Sequence, residues 1–157
     1  MDNELSFYKY YHQNPINKWI HFFCIPLIVL SIIILLNDFY ILNERYNKKL
    51  NKIDRIWKYK MSNLIIILYV ISYSTISIKI GIVMFIYFMI LKCLSNFLLL
   101  RLNNNLIPFI MFVVGWILQF IGHFIEGRRP ALIDSIFQAF FQAPLFSLEV
   151  LFPNLFE

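Results

Sequence analysis

Histidine and cysteine are scarce in this 157-residue chain, with three of the first and two of the second. Cys24 and Cys93 lie in separate apolar stretches and form no Cys-x-x-Cys or other metal spacing, which argues against iron–sulfur and copper–thiolate centres. Both read as small buried hydrophobes. Charge is also sparse, at 15% of residues against 60% hydrophobic, and that excludes an ordinary soluble domain. No internal repeat or low-complexity segment is present. The first residues, Met1-Asp2-Asn3-Glu4, lack a basic n-region, so a cleavable signal peptide is not expected and the first apolar run should act as its own insertion signal. The net charge of +5 is local in origin: Arg45, Lys48, Lys49, Lys52, Arg55, Lys58 and Lys60 crowd into one connection. This is the pattern of a solvated loop beside anionic headgroups, with room for a short amphipathic helix, and no nucleic-acid partner is expected.

What the chain does have is long hydrophobic runs. Crossing about 30 Å of hydrocarbon takes about 20 mainly apolar residues. Residues 19–36, 61–78, 81–100 and 106–125 meet or approach that length, the third interrupted only by Lys92. The expected fold is all-α: a multi-span membrane helical bundle in which residues 1–157 form one integral membrane domain. It has about four transmembrane helices plus a C-terminal interfacial or re-entrant helix over about 131–152. Asn14-Pro15 reads as an N-cap followed by a first-turn proline. Pro26 removes a donor inside that helix, and Asn37-Asp38 ends it. The connection between spans two and three is expected at Lys79-Ile80-Gly81, because one helix over 61–91 would reach about 46 Å. Gly115 and Gly122 share a face of span four and permit close packing. In the tail Asp134, Gln138 and Gln142 form a polar stripe, which Pro144 interrupts.

An even number of crossings returns the end of span four to the side where span one begins. His12 and His21 then share a membrane face with His123, Glu126, Arg128 and Arg129. Gln119, His123 and Glu126 stand at i, i+4 and i+7, and Asn17 and His21 at i and i+4, so each set lines one helical face. His12 lies two residues before the N-cap, close enough to turn back to the same place. A lone interfacial histidine is ordinarily just hydrogen-bonded, as Tyr8, Tyr10, Tyr11, Trp19 and Trp116 are ordinary interfacial or membrane aromatics. Three histidines on one face, with none spent elsewhere, instead point to a metal site whose outer partners are Asn17 and Gln119. Intramembrane ionisable groups are costly enough to mark function. Two His plus a carboxylate with open positions suits Fe(II); three His around an open position suits a hydrolytic Zn. Glu126 is a candidate ligand or base, while Gly127, Arg128 and Arg129 also fit a plain helix C-cap.

Two groups of residues resemble the family of membrane 2-hydroxy fatty acid dioxygenases of phytosphingosine breakdown. The first is Phe7-Tyr8, Tyr11-His12, Asn14-Pro15-Ile16-Asn17, His21 and Pro26. The second is Trp116, Gln119-Phe120-Ile121-Gly122-His123, Glu126, Arg129-Pro130-Ala131-Leu132 and Ala143-Pro144-Leu145-Phe146 with Glu149. Together they cover about half the chain; residues 37–105 match only in hydrophobic character. The resemblance implies an Fe(II)-dependent enzyme of the endoplasmic reticulum. It would oxidise a 2-hydroxy fatty acid with O2, releasing CO2 and a fatty acid one carbon shorter, as in fatty acid alpha-oxidation. His12, His21 and His123 would hold the iron, and Glu126 would be a further ligand. Arg128 or Arg129 steadying the substrate carboxylate is our own reading. The many-histidine boxes of membrane desaturases and hydroxylases are absent. Two other classes stand beside this one: a Zn-dependent membrane lipid hydrolase with Glu126 as base, and a non-enzymatic membrane assembly or transport component.

Overall fold

Asn14 starts the first helix as its side chain allows: Oδ1 accepts the Ile16 N–H at 2.8 Å, and Pro15 occupies the first helical position, where no N–H is needed. The computed structural model describes residues 11–39, 60–102, 104–134, 136–150 and 152. The basic connection before Lys60 and the tyrosines at 8 and 10 lie outside the described residues. Helix α1 (Pro15–Leu35) contains Pro26 and passes into a 3-10 turn at Leu36–Asp38. Helices α2 (Met61–Ile76) and α3 (Ile78–Leu99) follow, then α4 (Leu106–Glu126), the single turn α5 (Ala131–Asp134) and α6 (Ile136–Glu149). The all-α expectation holds for the described residues.

The chain divides into two compact units. One comprises residues 30–109 and the other residues 1–29 with 110–157. The central unit is an antiparallel hairpin of α2 on α3: Ser62 meets Lys92, Tyr69 meets Phe88, and Gly81 lies against Ser74. The break between them falls at Ser77, in an extended conformation (φ −161°, ψ 140°), and not at Lys79-Ile80-Gly81, which belong to the first turn of α3. The cause lies at the end of α2. Ser72, Ser74 and Thr75 turn their hydroxyls back onto the helix carbonyls of Leu68, Val70 and Ser72, a competition that loosens a helix. Gly81 serves packing: a Cβ there would run into Ser74.

Lys92 is fully buried in this unit. Its Nζ donates to Ser62 Oγ at 2.7 Å and Asn37 Oδ1 at 3.2 Å, joining the turn after α1 and the starts and ends of the hairpin. Cys24 is buried as expected, but Cys93 is exposed on the outward apolar face of α3, with Ile86, Ile90 and Phe97. An apolar thiol suits lipid as well as it suits a protein interior.

Helices α1, α3 and α4 are long and apolar enough to cross a membrane. Their outward residues, such as Ile110, Ile117, Ile121 and Phe124 on α4, are large and apolar, as suits a lipid environment. Helix α2 has 16 residues, about 24 Å, short of the hydrocarbon thickness by itself.

Within the terminal unit α1 and α4 pack antiparallel. Gly122 sits over Asn17 and Gly115 over Ile28, at both places so closely that a Cβ would collide. Helix α4 ends where the histidine face ends. Gly127 adopts φ +70°, its N–H bonds Phe124 O at 3.1 Å, and Arg128 N–H bonds His123 O at 3.3 Å. This paired closure satisfies the last carbonyls and needs a residue without Cβ. Helix α6 continues through Pro144 instead of stopping there; Pro144 is buried, and Ser147 Oγ donates to its carbonyl at 2.7 Å. Proline removes one donor, and packing of the surrounding turn holds the rest of the helix.

Candidate metal centre

The three histidines arrive from three pieces of chain. His12 precedes the N-cap of α1, His21 lies one turn after Asn17 in α1, and His123 stands one turn after Gln119 near the end of α4. All three are buried, and their ligand atoms lie within 4.8 Å of one another. The rings meet edge-on, with centroids 4.3 Å apart for His12 and His21, 4.8 Å for His12 and His123, and 5.0 Å for His21 and His123. The close approach of the ligand atoms, more than that of the ring centres, is what suits a shared ion.

The local hydrogen bonds fix which nitrogen is free to bind. His21 Nδ1 lies 3.0 Å from the backbone carbonyl of Asn17. A carbonyl only accepts, so Nδ1 carries the proton and Nε2 of the neutral ring carries the lone pair. That Nε2 faces His12 Nε2 at 3.0 Å. The contact is a hydrogen bond when His12 Nε2 is protonated, and two convergent lone pairs when it is not. Two imidazoles bound to one ion at about 2.0–2.1 Å stand about 2.8–3.4 Å apart for right-angle to tetrahedral geometry, which matches this spacing. His123 Nδ1 is buried with no hydrogen-bond partner. Leaving such a group unsatisfied costs about 1–3 kcal/mol, and coordination would remove that cost. The residues therefore fit a metal ion, and a backbone carbonyl behind a ligating imidazole is the usual means of orienting it.

Glu126 is engaged differently from a free carboxylate. Its Oε1 accepts the backbone N–H of Gln13 at 2.5 Å and of Asn14 at 3.0 Å, and its Oε2 accepts Asn17 Nδ2 at 2.7 Å. The acid at the end of α4 thus caps the beginning of α1 and grips the two residues that follow His12. Its negative charge also sits where the α1 dipole is positive. Asn17 is fully buried; it serves Glu126 with its amide and His21 with its carbonyl. Gln119 is buried one turn below His123. Arg128 is half-buried and donates to Gln13 Oε1 at 3.1 Å, and Arg129 is exposed just beyond it.

Helix α6 supplies a wall that the sequence did not assign to the site. The Phe146 ring lies 4.9 Å from His12, with Tyr11, Ala143 and Val150 packed around it. Phe140, earlier in α6, meets Trp116, which lies two turns before His123 on α4. Helix α6 therefore advances towards the histidines in the same sense as α4. Gln142, one turn before Phe146, is buried, and its Oε1 has no hydrogen-bond partner. Its place in a polar stripe read as interfacial concealed it; the signal available was a glutamine four residues before an aromatic in an otherwise apolar segment.

The comparisons with known proteins agree with one another. The description 2-hydroxy-palmitic acid dioxygenase Mpo1-like matches residues 1–155. The 2-hydroxy-palmitic acid dioxygenase MPO1 of Saccharomyces cerevisiae is 30% identical over 166 residues, an alignment covering 99% of this chain and 79% of the yeast protein. No solved structure gives a significant match. With a match along nearly its whole length, and a buried cluster of three histidines at the meeting of its two ends, the chain belongs to the Mpo1-like family.

Proposed function

We propose that this protein is an iron-dependent dioxygenase of the membrane that shortens 2-hydroxy fatty acids by one carbon. The observation that carries the reading is the set of three buried imidazoles converging within 4.8 Å among apolar helices. The relative's name supplies the substrate class. The reaction balances without a further reductant. A 2-hydroxy acid R–CH(OH)–COOH plus O2 gives R–COOH, CO2 and H2O, so the four electrons that reduce O2 come from the substrate as its C1–C2 bond breaks. Zinc has no redox chemistry, so a site for this reaction holds Fe(II), with His12, His21 and His123 as ligands. When bound, the ion supplies open positions for a chelating 2-hydroxy acid and the redox capacity that O2 chemistry needs.

The chain's own residues do the rest. Asn17 and Glu126 hold His21 and the His12 segment in place. Gln119 supports the His123 face. Arg128 and Arg129, on the turn beyond α4, attract the substrate carboxylate as it approaches. The acyl chain lies among the helices, so the bilayer both dissolves the substrate and presents it.

The topology supports the same picture. Helices α1 and α4 pack antiparallel, so the chain between them crosses the membrane an even number of times. Helix α3 is long enough to cross, and an even count needs α2 to cross with it, although at 16 residues α2 is shorter than the three helices of spanning length. The membrane concerned is that of the endoplasmic reticulum, the setting that the family resemblance implies. The test is elemental analysis of the purified protein together with O2 uptake on 2-hydroxyhexadecanoic acid. About one iron per chain, and pentadecanoic acid formed with one CO2 per O2, are expected; zinc with O2-independent turnover would refute the reading.

A further inference from the structure

Gln142 is a buried amide of α6 whose carbonyl oxygen has no hydrogen-bond partner among the described residues. The residue is 7% exposed, so water does not supply the missing bond freely. An acceptor left unsatisfied in a protein interior costs about 1–3 kcal/mol and calls for an explanation. Its place on α6 offers one. Gln142 and Phe146 are four residues apart and share a helical face, and the Phe146 ring rests 4.9 Å from that of His12. Gln142 therefore lies one helical turn from the residue that walls the histidine cluster.

We propose that Gln142 is a specificity-determining residue whose side-chain carbonyl accepts the hydrogen bond of the substrate's 2-hydroxyl group. This rests on the function proposed above. A carboxylate can only accept, and O2 carries no proton, so the hydroxyl is the donor that a 2-hydroxy acid brings. The amide N–H2 group of the same side chain complements the neighbouring carboxylate. An unsubstituted fatty acid leaves the Gln142 oxygen unsatisfied, and a site built around a hydroxyl discriminates against the analogue that lacks it. Gln142 moves no proton and binds no metal; its task is choice among acyl heads.

The test is binding under anaerobic conditions, which stops turnover, using iron-loaded full-length protein in lipid nanodiscs. Dissociation constants for 2-hydroxyhexadecanoic acid and hexadecanoic acid are compared in the wild type and in Gln142→Leu. The wild type should prefer the hydroxy acid, and the variant should lose about ten-fold of that preference, mainly through weaker binding of the hydroxy acid. Thermal stability should be unchanged or raised, because leucine removes a buried unsatisfied atom; a purely structural glutamine would show the opposite. Gln142→Met, unbranched and close in shape, replaces the leucine variant if that fails to accumulate. A wild-type preference that survives intact in the variant would overturn the assignment of Gln142 alone. An iron-loaded wild type that shows no preference would overturn that assignment too, and a wild type that cannot be loaded with iron would overturn the proposed function with it.

Discussion

Removing the Glu126 side chain should loosen the metal centre without removing a ligand. The carboxylate receives three donors: the backbone N–H groups of Gln13 and Asn14, and the amide of Asn17. A hydrogen bond to a charged group is worth about 1.5–3 kcal/mol when buried, but Glu126 is only half-buried and Gln13 is exposed, so about 1 kcal/mol each is a fairer figure. Glu126→Ala should therefore cost about 2–3 kcal/mol. Because the bonds fix the residues next to His12, that loss appears as about 10- to 100-fold weaker metal binding. Glu126→Gln separates positioning from coordination. Its Oε1 still receives Gln13 and Asn14, and its NH2 opposes only Asn17 Nδ2, so one bond is lost and affinity should fall less than ten-fold. Anaerobic Co(II) titration followed by absorption measures both variants. Wild-type affinity in Glu126→Ala would refute the argument. So would a glutamine variant as weak as alanine, because the charge itself would then be needed, as for a direct ligand.

Other expectations are simpler. His21→Ala and His123→Ala should each lower metal affinity at least about 100-fold, more than loss of an outer partner, while membrane insertion stays intact; elemental analysis and protease protection read the two outcomes. Gly122→Ala should cost about 1–3 kcal/mol and also weaken metal binding, because its Cβ would strike Asn17, which holds both His21 and Glu126. Gly115→Ala meets the side chain of Ile28 and should lower melting temperature with metal affinity unchanged. Lys92→Met should cost about 1–3 kcal/mol by leaving Ser62 and Asn37 without their donor, with iron content preserved.

Much of the centre was legible because polar residues inside apolar runs stand out. His12, His21 and His123 could be brought together by counting crossings, and Asn17 could be paired with His21 by helical spacing alone. The use of Asn17's backbone carbonyl, not its amide, to orient His21 could not be read, since every residue carries that carbonyl. Glu126 was visible as an acid on the histidine face, yet its three bonds depend on how closely α4 approaches the start of α1, a distance that Gly122 sets and composition does not. The hairpin breaks at Ser77, two residues before the Lys79-Ile80-Gly81 connection that span length alone suggests. The run Ser72, Ser74, Thr75 and Ser77 held the information, through hydroxyls that compete for helix carbonyls. The wall formed by Phe146 required knowing the direction of α6, which no periodicity reveals.

The 110 residues between His12 and His123 set an order on biosynthesis. A ribosome releases the first two imidazoles long before the third, and Phe146 emerges later still. A half-made chain can hold an ion by two nitrogens at most, with no aromatic cover over it. The complete set of three imidazoles therefore forms only once α4 has been made, so the cluster cannot assemble before the two segments of the terminal unit meet.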